Sequence, residues 1–300
     1  MKDFDVVLLT ESRYDQPTEV GWYIENILTE DGMVKDALEK KGLKVARVDW
    51  ANPNFDWSST EIALFRTTWD YFNRFEEFSN WLNEATTKTR LINPAEQIRW
   101  NIDKHYLRDL ENKGINITPT VYIEPRETIN LPELHEKNNW KETVLKPAIA
   151  GAARHTYRLD QDNLSEHEDI FQELISSETM MLQPFQYNVI EQGEVAYMLF
   201  GGKFTHAVLK VAKPGDFRVQ DDFGGTVHQY DPTNEEIEFA ERAVLACDPL
   251  PVYARVDVIT DNNDKLAVTE LELIEPELWF RFHPPAADKL AETVIDILTK

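Results

Sequence analysis

The chain has 300 residues, and its 42% hydrophobic content is enough for one large core or two to three small ones. The formal net charge of -23 argues against nucleic acid or an anionic membrane surface as a partner, because either would need a basic surface on the protein. No apolar run is long enough to cross a bilayer, and the first ten residues predict a strand, not a signal peptide.

Strand and helix patterns alternate over the first 94 residues, which predicts a small open α/β layer. The predicted elements, in chain order, are residues 6–10, 24–41, 45–48, 62–65, 74–85 and 91–94. In such sheets ligands bind beyond the carboxyl ends of the strands, and an arginine there would suit a substrate carboxylate. We therefore predict that four polar side chains at these ends contact the substrate, namely Arg13, Arg66, Thr67 and Asp70. We interpret Trp69 and its aromatic neighbours as packing.

A second, smaller α+β unit is predicted after residue 94. It opens with helices at residues 95–100 and 103–113, the latter with Gly114 as its C-terminal cap. Four short strands are predicted, at residues 121–123, 143–145, 156–159 and 180–182. A further helix is predicted to begin at the capping box that Ser165 and Glu168 would form.

The last part of the chain returns to long strands. Gly201 and Gly202 predict a hairpin turn, and Thr233 with Glu236 predicts a capping box that begins a helix. The final helix is predicted to have one apolar face, made of Leu290, Val294 and Ile297.

The single cysteine, Cys247, lies in an apolar helical stretch and is predicted to be a core residue. It cannot form an internal disulfide, which suits a reducing compartment. We therefore expect a cytoplasmic protein.

Two alternating apolar and charged runs, residues 253–259 and 267–274, predict a strand pair joined by a polar turn. In an in-register hairpin they bring four charged side chains onto one face, namely Arg255, Asp257, Glu270 and Glu272. Like charges about 4 Å apart repel by roughly 4 kcal/mol at an effective dielectric of about 20, so the patch needs a counterion or raised pKa values. A divalent cation is the simplest counterion, and oxygen ligands favour Mg2+ or Mn2+. The solvated face of an antiparallel hairpin would show the same alternation, so both interpretations stay open.

Several basic residues are candidates for binding an anion. Lys146 interrupts an apolar strand and precedes small residues that would let a backbone approach a phosphate, although an edge-strand lysine facing water would look the same. Lys104 lies in a predicted helix, where a solvated lysine is the default interpretation. Lys210 lies among apolar neighbours, and Arg218 precedes a loop that ends in two glycines. Together they would collect positive charge in an acidic protein.

Two further motifs lie between the lysines and the charged hairpin. Gln183-Pro-Phe185 follows a hydrophobic strand and is typical of a segment that crosses between layers, and Glu194 follows a glycine at the start of the next strand. A plain turn with surface acids would give the same pattern.

In this order along the chain, these motifs resemble the ATP-grasp superfamily, specifically the glutathione-synthetase-like carboxylate-amine ligases. The resemblance is good from Asn93 to Pro276, and the complete order is far more specific than any one motif. It implies an ATP-grasp fold of α/β and α+β parts. Its expected parts are an N-terminal α/β domain at residues 1–94, a middle subdomain at 95–185 and a C-terminal subdomain at 186–300. The last two would clamp ATP.

The resemblance also implies roles for the motif residues. It implies two catalytic arginines, Arg218 and Arg255. It implies that ATP is bound through its phosphates by Lys104 and Lys146, through its adenine by the hinge at Gln183 and Phe185, and through its ribose by Glu194. Lys210 is expected to be a further contact with the nucleotide. In the hinge, the backbone of Phe185 would hold the adenine. It implies a site for Mg2+ (or Mn2+) on Asp257, Glu270 and Glu272.

The chain departs from the family pattern at three places. Glu272 stands where many relatives have asparagine, which adds negative charge to the metal site. The loop expected to cover the phosphates has a single glycine, Gly151. The turn after the metal strand carries Glu275 and Glu277 in place of small residues, where a cationic amine would bind. The run from Arg66 to Asp70 is similar to a branch that includes the cyclo-ligase of D-cycloserine synthesis.

The activity that the resemblance implies is an ATP-dependent ligation of a carboxylate to an amine through an acyl phosphate, with release of ADP and phosphate. Amino-acid-like molecules would be the substrates, and homodimers are common among relatives. Two alternatives stay open. A small-molecule kinase would release ADP without free phosphate, and a non-catalytic nucleotide-binding protein would have a closed or apolar acceptor site. Charged strand ends such as Arg13 argue against the latter.

Overall fold

The computed structural model describes residues 2–151, 153–219 and 223–299. In these ranges the strands form three sheets, one each within residues 4–92, 121–184 and 194–272. The observed mixture of parallel and antiparallel sheets with helices confirms the predicted α/β and α+β class. The domain boundaries after residues 94 and 185 stay a prediction.

The N-terminal sheet is parallel, with strand order β2-β1-β3-β4. Its elements are β1 Phe4–Thr10, α1 Ser12–Asp15, α2 Trp22–Lys40, β2 Val45–Asp49, β3 Thr60–Thr67, α3 Phe75–Ala85 and β4 Arg90–Ile92. Strands β1 and β3 are almost continuously buried, as expected for parallel strands covered on both faces. Because Thr10 pairs with Thr67, the segments after β1 and β3 leave the sheet side by side.

The middle sheet is antiparallel, with strand order β5-β8-β6-β7. The elements of this part are α4 Ala95–Ile102, α5 Tyr106–Asn112, β5 Val121–Ile123, α6 Leu131–Asn138, β6 Thr143–Pro147, β7 Tyr157–Leu159, α7 Leu164–Ile175 and β8 Met180–Pro184. Gly114 follows α5 with a φ of 84°, the left-handed conformation predicted for a C-terminal cap.

The predicted capping box at the start of α7 is wrong. The helix begins at Leu164 with Asn163 as its N-cap, so Ser165 lies inside the first turn. Glu168 instead accepts a hydrogen bond from the backbone N–H of Leu131 at 2.9 Å and so joins α7 to α6. Helix α6 was not predicted, although Asn130 caps its first turn and accepts from the Glu133 N–H.

The C-terminal sheet is antiparallel, with strand order β11-β10-β9-β12-β13. Its elements are α8 Asn188–Gln192, β9 Glu194–Phe200, β10 Lys203–Val211, β11 Thr226–Tyr230, α9 Asn234–Leu245, β12 Tyr253–Thr260, β13 Leu266–Glu272 and α10 Pro285–Leu298. Both Gly201 and Gly202 have positive φ in the predicted hairpin turn. The capping box of Thr233 and Glu236 is also confirmed.

The N-terminal and C-terminal sheets share one hydrophobic core. Val6 and Ile62 pack with Met198 of β9 and with Leu290 and Val294 of α10. The middle sheet has a core of its own, drawn from residues 123–182. Helix α5 and Met181 of β8 also pack in a further core with the C-terminal sheet, and α4 packs in a core of the N-terminal part, so the middle part is joined to both of the others.

Two further predictions concern single features. Cys247 is buried and free, as predicted for a core residue. No helix among the described residues combines the length and apolar character that a membrane span requires.

Candidate active site

A cleft of about 860 Å3 is lined by residues from all three parts of the chain. Seven of the 31 lysines and arginines line it, but only six of the 54 acids do. Positive charge is therefore enriched in the cleft of a strongly acidic chain, as binding of an anion requires.

The charged hairpin forms one wall of the cleft. Arg255 pairs with Glu272 and Asp257 pairs with Glu270 across β12 and β13, so the predicted register is confirmed. One carboxylate oxygen from each of Asp257, Glu270 and Glu272 lies within 4.8 Å of the other two. These acids converge on the cleft, and Asp257 is only 2% exposed.

The chain itself supplies the nearest counterions to these acids. Arg255 donates two hydrogen bonds of 2.9 Å to the two oxygens of Asp257 and also pairs with Glu272. Lys210 Nζ lies 2.7 Å from Asp257 and 2.6 Å from Glu194. Burial raises the pKa of Asp257, but the charges of Arg255 and Lys210 outweigh it and lower the pKa overall. Cations of the chain therefore supply much of the counter-charge that the sequence predicted for this patch.

The donor set nevertheless fits a hard divalent cation. Opposite ligands of an octahedral Mg2+ are about 4.2 Å apart, close to the spread of the three oxygens. All three donors are carboxylate oxygens, which Mg2+ and Mn2+ prefer. Burial, partly offset by Arg255, raises the pKa of Glu272 to about 7. A bound cation would favour its ionised form.

The two predicted phosphate lysines line the cleft on the side of the middle sheet. Lys104 Nζ lies 3.1 Å from Glu270 and donates to the carbonyl of Ala150 at 2.6 Å. Lys146 projects from β6, and within the described ranges no acid lies within ion-pair distance of it. Burial lowers the pKa of Lys146, while Glu270 acts in the opposite direction. Among the residues that the structure describes, Lys146 is therefore a cation without an anionic partner in the cleft.

The loop after β6 approaches the N-terminal part of the chain closely at Gly151. A Cβ on this glycine would lie 2.6 Å from the Phe72 ring, too close for any other residue without movement. Ala152, beside it in the predicted phosphate loop, lies outside the described residues. The single glycine of this loop thus stands where a side chain would not fit.

The predicted adenine hinge is only partly as expected. The backbone N–H of Phe185 donates to Glu142 O at 2.9 Å, and its carbonyl accepts from the Asn262 amide at 2.8 Å. The Gln183 side chain donates to Thr120. Because the Phe185 backbone groups already have partners, they do not support the predicted contact with adenine. The cleft wall here is instead apolar and suits a flat base, with Val144, Phe185, Phe217, Ile259 and Leu271 among its residues.

Lys210 and Glu194 form an internal ion pair rather than two separate ligand contacts. Lys210 is 3% exposed and lies between Glu194 and Asp257. The other oxygen of Glu194 accepts from the Thr269 hydroxyl at 2.7 Å. The predicted contact of Lys210 with the nucleotide is thus not supported, because its ammonium already bridges two acids. The contact of Glu194 with ribose stays a prediction.

Arg218 lines the cleft from the segment before residues 220–222, which lie outside the described residues. Its guanidinium pairs with Asp216 at 2.8 Å and lies 4.1 Å from the centre of the Phe223 ring. Arg218 is thus brought to the same cleft as Lys104, Lys146 and Arg255.

The four predicted substrate residues divide into two groups. Arg13 lines the cleft, with its side chain 65% exposed and paired with Glu11. The other three do not line it. Arg66 is buried beside Asp31 and donates to Pro276 O, Thr67 is bonded to Thr10, and Asp70 accepts from Trp50 and Arg74.

The structure therefore brings only Arg13 of these four residues to the cleft, and substrate contact by Arg66, Thr67 and Asp70 stays a prediction that their present partners do not support. The physical reason is orientation: the strand-end rule identifies the correct edge of the sheet but not the direction in which each side chain points.

Aromatic residues near the N-terminal strand ends were not predicted to line the cleft, yet several do, namely Tyr14, Trp22, Tyr23, Trp69, Tyr71 and Phe72. The Trp69 indole N–H donates to the carbonyl of Glu275 at 2.8 Å. The sequence signal was the aromatic run directly after a strand end, together with the departure at residues 275–277. Trp69 therefore does more than fill the core, because it holds the segment after β13 against the N-terminal sheet.

Comparison with known proteins supports the ATP-grasp resemblance that the sequence motifs indicate. A family model described as "D-cycloserine synthetase DcsG, N-terminal domain" matches residues 6–93. The cycloserine biosynthesis protein DcsG of Streptomyces lavendulae is 28% identical over 282 residues, which cover 88% of this chain and 92% of that protein. The crystal structure of D-cycloserine synthetase DcsG superposes with a TM-score of 0.83 at 25% identity, over 98% of this chain and 99% of that one.

More distant solved structures share the fold. The D-alanine–D-alanine ligase of Bacillus anthracis, complexed with ATP, has a TM-score of 0.65 at 16% identity, over 99% of this chain and 97% of that one. The ATP-grasp ligase PsnB, complexed with a minimal precursor, Mg and ADP, has a TM-score of 0.63 at 14% identity over the full length of both chains. With the ordered motifs and the shared cleft, these similarities show an ATP-grasp fold and support a relationship of this chain to the ATP-grasp carboxylate-amine ligases.

Proposed function

We propose that this ligase activates a carboxylate of a small amino-acid-like substrate as an acyl phosphate and transfers the acyl group to an amine. ATP would be the phosphoryl donor, and ADP and phosphate would be released. The observation that carries the proposal is the convergence of two phosphate lysines, two arginines and three carboxylates on one cleft. The similarity to a cycloserine biosynthesis protein supports an amino-acid-like substrate.

The nucleotide would bind between the middle and C-terminal sheets. Lys104, Lys146 and Arg218 would face its phosphates, and the apolar wall around Phe217 would accept the base. Lys146 is best suited to this role. No acid of the described chain pairs with it, and an anionic ligand would offset the free-energy cost of burying its positive charge.

Asp257, Glu270 and Glu272 would hold Mg2+ (or Mn2+). When bound, the metal would offset negative charge on the transferring phosphoryl group. The three carboxylates fit this role because their oxygens are already gathered before any ion binds. Lys104, Lys210 and Arg255 keep them there by pairing with them.

In the first step an oxygen of the substrate carboxylate forms a bond to the terminal phosphorus, and the bond to the ADP oxygen breaks. Arg255 is held by Asp257 and Glu272, so its guanidinium is fixed before charge develops on the phosphoryl oxygens. In the second step the amine nitrogen forms a bond to the acyl carbon. The carbon–oxygen bond to phosphate then breaks, phosphate keeps the electron pair, and the nitrogen loses a proton.

Measurement of ADP and free phosphate, while D- and L-amino acids and dipeptides are screened with MgATP, tests this proposal. A ligase releases both products in equal amounts and forms an amide. Release of ADP without free phosphate would indicate a kinase, and ATP binding without ADP would indicate a nucleotide-binding protein. Lys146→Ala is the negative control, and Lys141→Ala, on the exposed surface before β6, is the matched positive control.

A further inference from the structure

The acids of the cleft differ in whether a cation of the chain pairs with them. Five of the six have a lysine or arginine nitrogen within 4.0 Å, namely Glu194, Asp257, Glu270, Glu272 and Glu277. Glu275 is the exception, because within the described ranges no lysine or arginine pairs with it. The ionised form of a half-buried carboxylate without a cation is unfavourable, so a positive group from outside the chain would stabilise that form here.

The position of Glu275 is fixed by its neighbours. Its backbone carbonyl accepts the hydrogen bond from the Trp69 indole, and the Tyr71 hydroxyl lies at its carboxylate as a hydrogen-bonding group. Burial, followed by the negative charge of Glu272, raises the pKa of Glu275 to about 8. The tyrosine offers one neutral hydrogen bond, and the charge of Lys104, which is not within ion-pair distance in the described structure, offsets the negative charge only in part.

Aromatic rings line the same cleft as this carboxylate, and one of them is bonded to the backbone of residue 275. The Trp69 ring lies 5.8 Å from Tyr14 and 6.3 Å from Tyr23, and all three rings line the cavity. The faces of such rings carry partial negative charge and attract cations. Trp69 lies next to both tyrosines and is also bonded to residue 275, so it is the ring best placed for a ligand of Glu275.

We propose that Glu275, Trp69 and Tyr23 form a subsite for the ammonium group of an amino acid substrate. This inference rests on the proposed function for its place in the reaction. A metal ion would need more oxygen ligands than this one carboxylate. An apolar group would leave the carboxylate without a partner. The positive charge of an ammonium group would pair with the Glu275 carboxylate and be attracted to the ring faces. The subsite would therefore select amino acids over analogues that lack the ammonium group.

The indole N–H of Trp69 is a direct reporter, because it lies in a defined hydrogen bond to residue 275. We would label the full-length protein with 15N, add Mg2+ and a non-hydrolysable ATP analogue, and titrate with D- and L-alanine and D- and L-serine. The matched hydroxy acids, lactate and glycerate, are the probes without an ammonium group. We expect at least one amino acid to shift the Trp69 signal with an affinity about tenfold or more above that of its hydroxy acid.

Two variants test the role of the carboxylate. In Glu275→Gln the amide carbonyl still accepts from Tyr71, but the negative charge is gone, so the preference for the amino acid should fall to about twofold or less. Glu76→Gln is the control, because that carboxylate is exposed on α3 and does not line the cleft. It should keep the preference.

Three results would overturn the inference. They are equal shifts with amino and hydroxy acids, no saturable shift with any of the amino acids, and an unchanged preference in Glu275→Gln. Because this titration needs no turnover, its outcome is separate from that of the phosphate-release screen. A kinase or a non-catalytic protein would fail that screen and yet pass this test.

Discussion

The two ends of the cleft are built in different ways. The metal end, formed by Asp257, Glu270 and Glu272, lies on two paired strands whose two-residue period fixes the face of each side chain. The acceptor end, formed by Tyr23, Trp69 and Glu275, lies on a helix start and on segments that follow strand ends. Tertiary hydrogen bonds alone set the orientation of those segments. The face taken by a functional side chain on a strand can therefore be deduced from its spacing in the sequence. The orientation of a functional side chain on a connecting segment cannot.

The two ends also differ in what fixes them. Around the metal end, acids and basic residues of the chain pair with one another, with Arg255 and Lys210 at the centre. The acceptor end is held by contacts to the N-terminal sheet. There the buried carboxylate of Glu30 accepts from the backbone N–H groups of Phe280 and Arg281 at 2.8 and 3.0 Å. Substitutions at the metal end should therefore act mainly on catalytic rate, and substitutions at the acceptor end should act mainly on the free energy of unfolding.

Arg255→Met should give the largest effect and act on catalysis. Removing one preorganised donor from the reacting centre costs about 100- to 1,000-fold in rate, and little ATP affinity should be lost because the phosphate lysines remain. Phosphate release and an ATP titration measure the two quantities. Arg242→Met, an exposed change on α9, should leave both unchanged. Normal ADP release by Arg255→Met, with its substrate present, would remove Arg255 from the mechanism.

Lys146→Ala should impair both binding and rate. Its ammonium has no ion-pair partner among the described residues, so we expect ATP affinity to fall about tenfold or more as a charge-assisted contact to phosphate is lost. The same ATP titration is the measurement. Unchanged affinity, with Lys141→Ala also unchanged, would mean that the phosphates lie elsewhere.

Glu30→Ala should act on stability and on the acceptor end. It leaves two backbone N–H groups without their acceptor and removes one of the two carboxylates that pair with Arg281, so we expect a loss of about 3 kcal/mol in the free energy of unfolding. Urea denaturation measures this loss, and Glu25→Ala, on the exposed face of α2, is the control. A loss no larger than that of the control would show that the segment after β13 is held by other contacts.

Glu275→Gln should change how stability depends on pH. The pKa of Glu275 is about 8 in the folded chain and 4.5 in an ordinary setting, so the unfolded chain loses this proton first. Ionisation therefore destabilises the fold as pH rises from 4.5 through 8. Above pH 8 the glutamine variant, without ligands, should be more stable than the parent by about 1–2 kcal/mol, and below pH 4.5 the difference should vanish.

Urea denaturation across that pH range measures the effect, with Glu76→Gln, an exposed change on α3, as the control. A constant difference across the range would mean that Glu275 already has a partner for its charge.

The sequence predicted most of the metal end and little of the acceptor end. Alternation alone placed Arg255 opposite Glu272, and hairpin and capping signals at Gly201, Gly202 and Thr233 were correct. These features depend on local periodicity and turn chemistry, which a sequence carries in full.

The contacts that the sequence did not predict share one physical cause, because each depends on a partner distant in the chain. Arg66 turns away from the cleft toward Pro276, and Lys210 is held between two acids. The backbone N–H of Phe185 bonds to Glu142, and Glu168 bonds to α6 rather than capping α7. Spacing places such residues at the correct edge or loop, but tertiary packing decides what each one contacts.

The most direct test of the account is a crystal structure with Mg2+ and a non-hydrolysable ATP analogue. The account predicts a metal ion bound by Asp257, Glu270 and Glu272, with the triphosphate beside Lys104 and Lys146. A nucleotide bound outside this cleft, or a triphosphate whose metal contacts none of the three carboxylates, would contradict it.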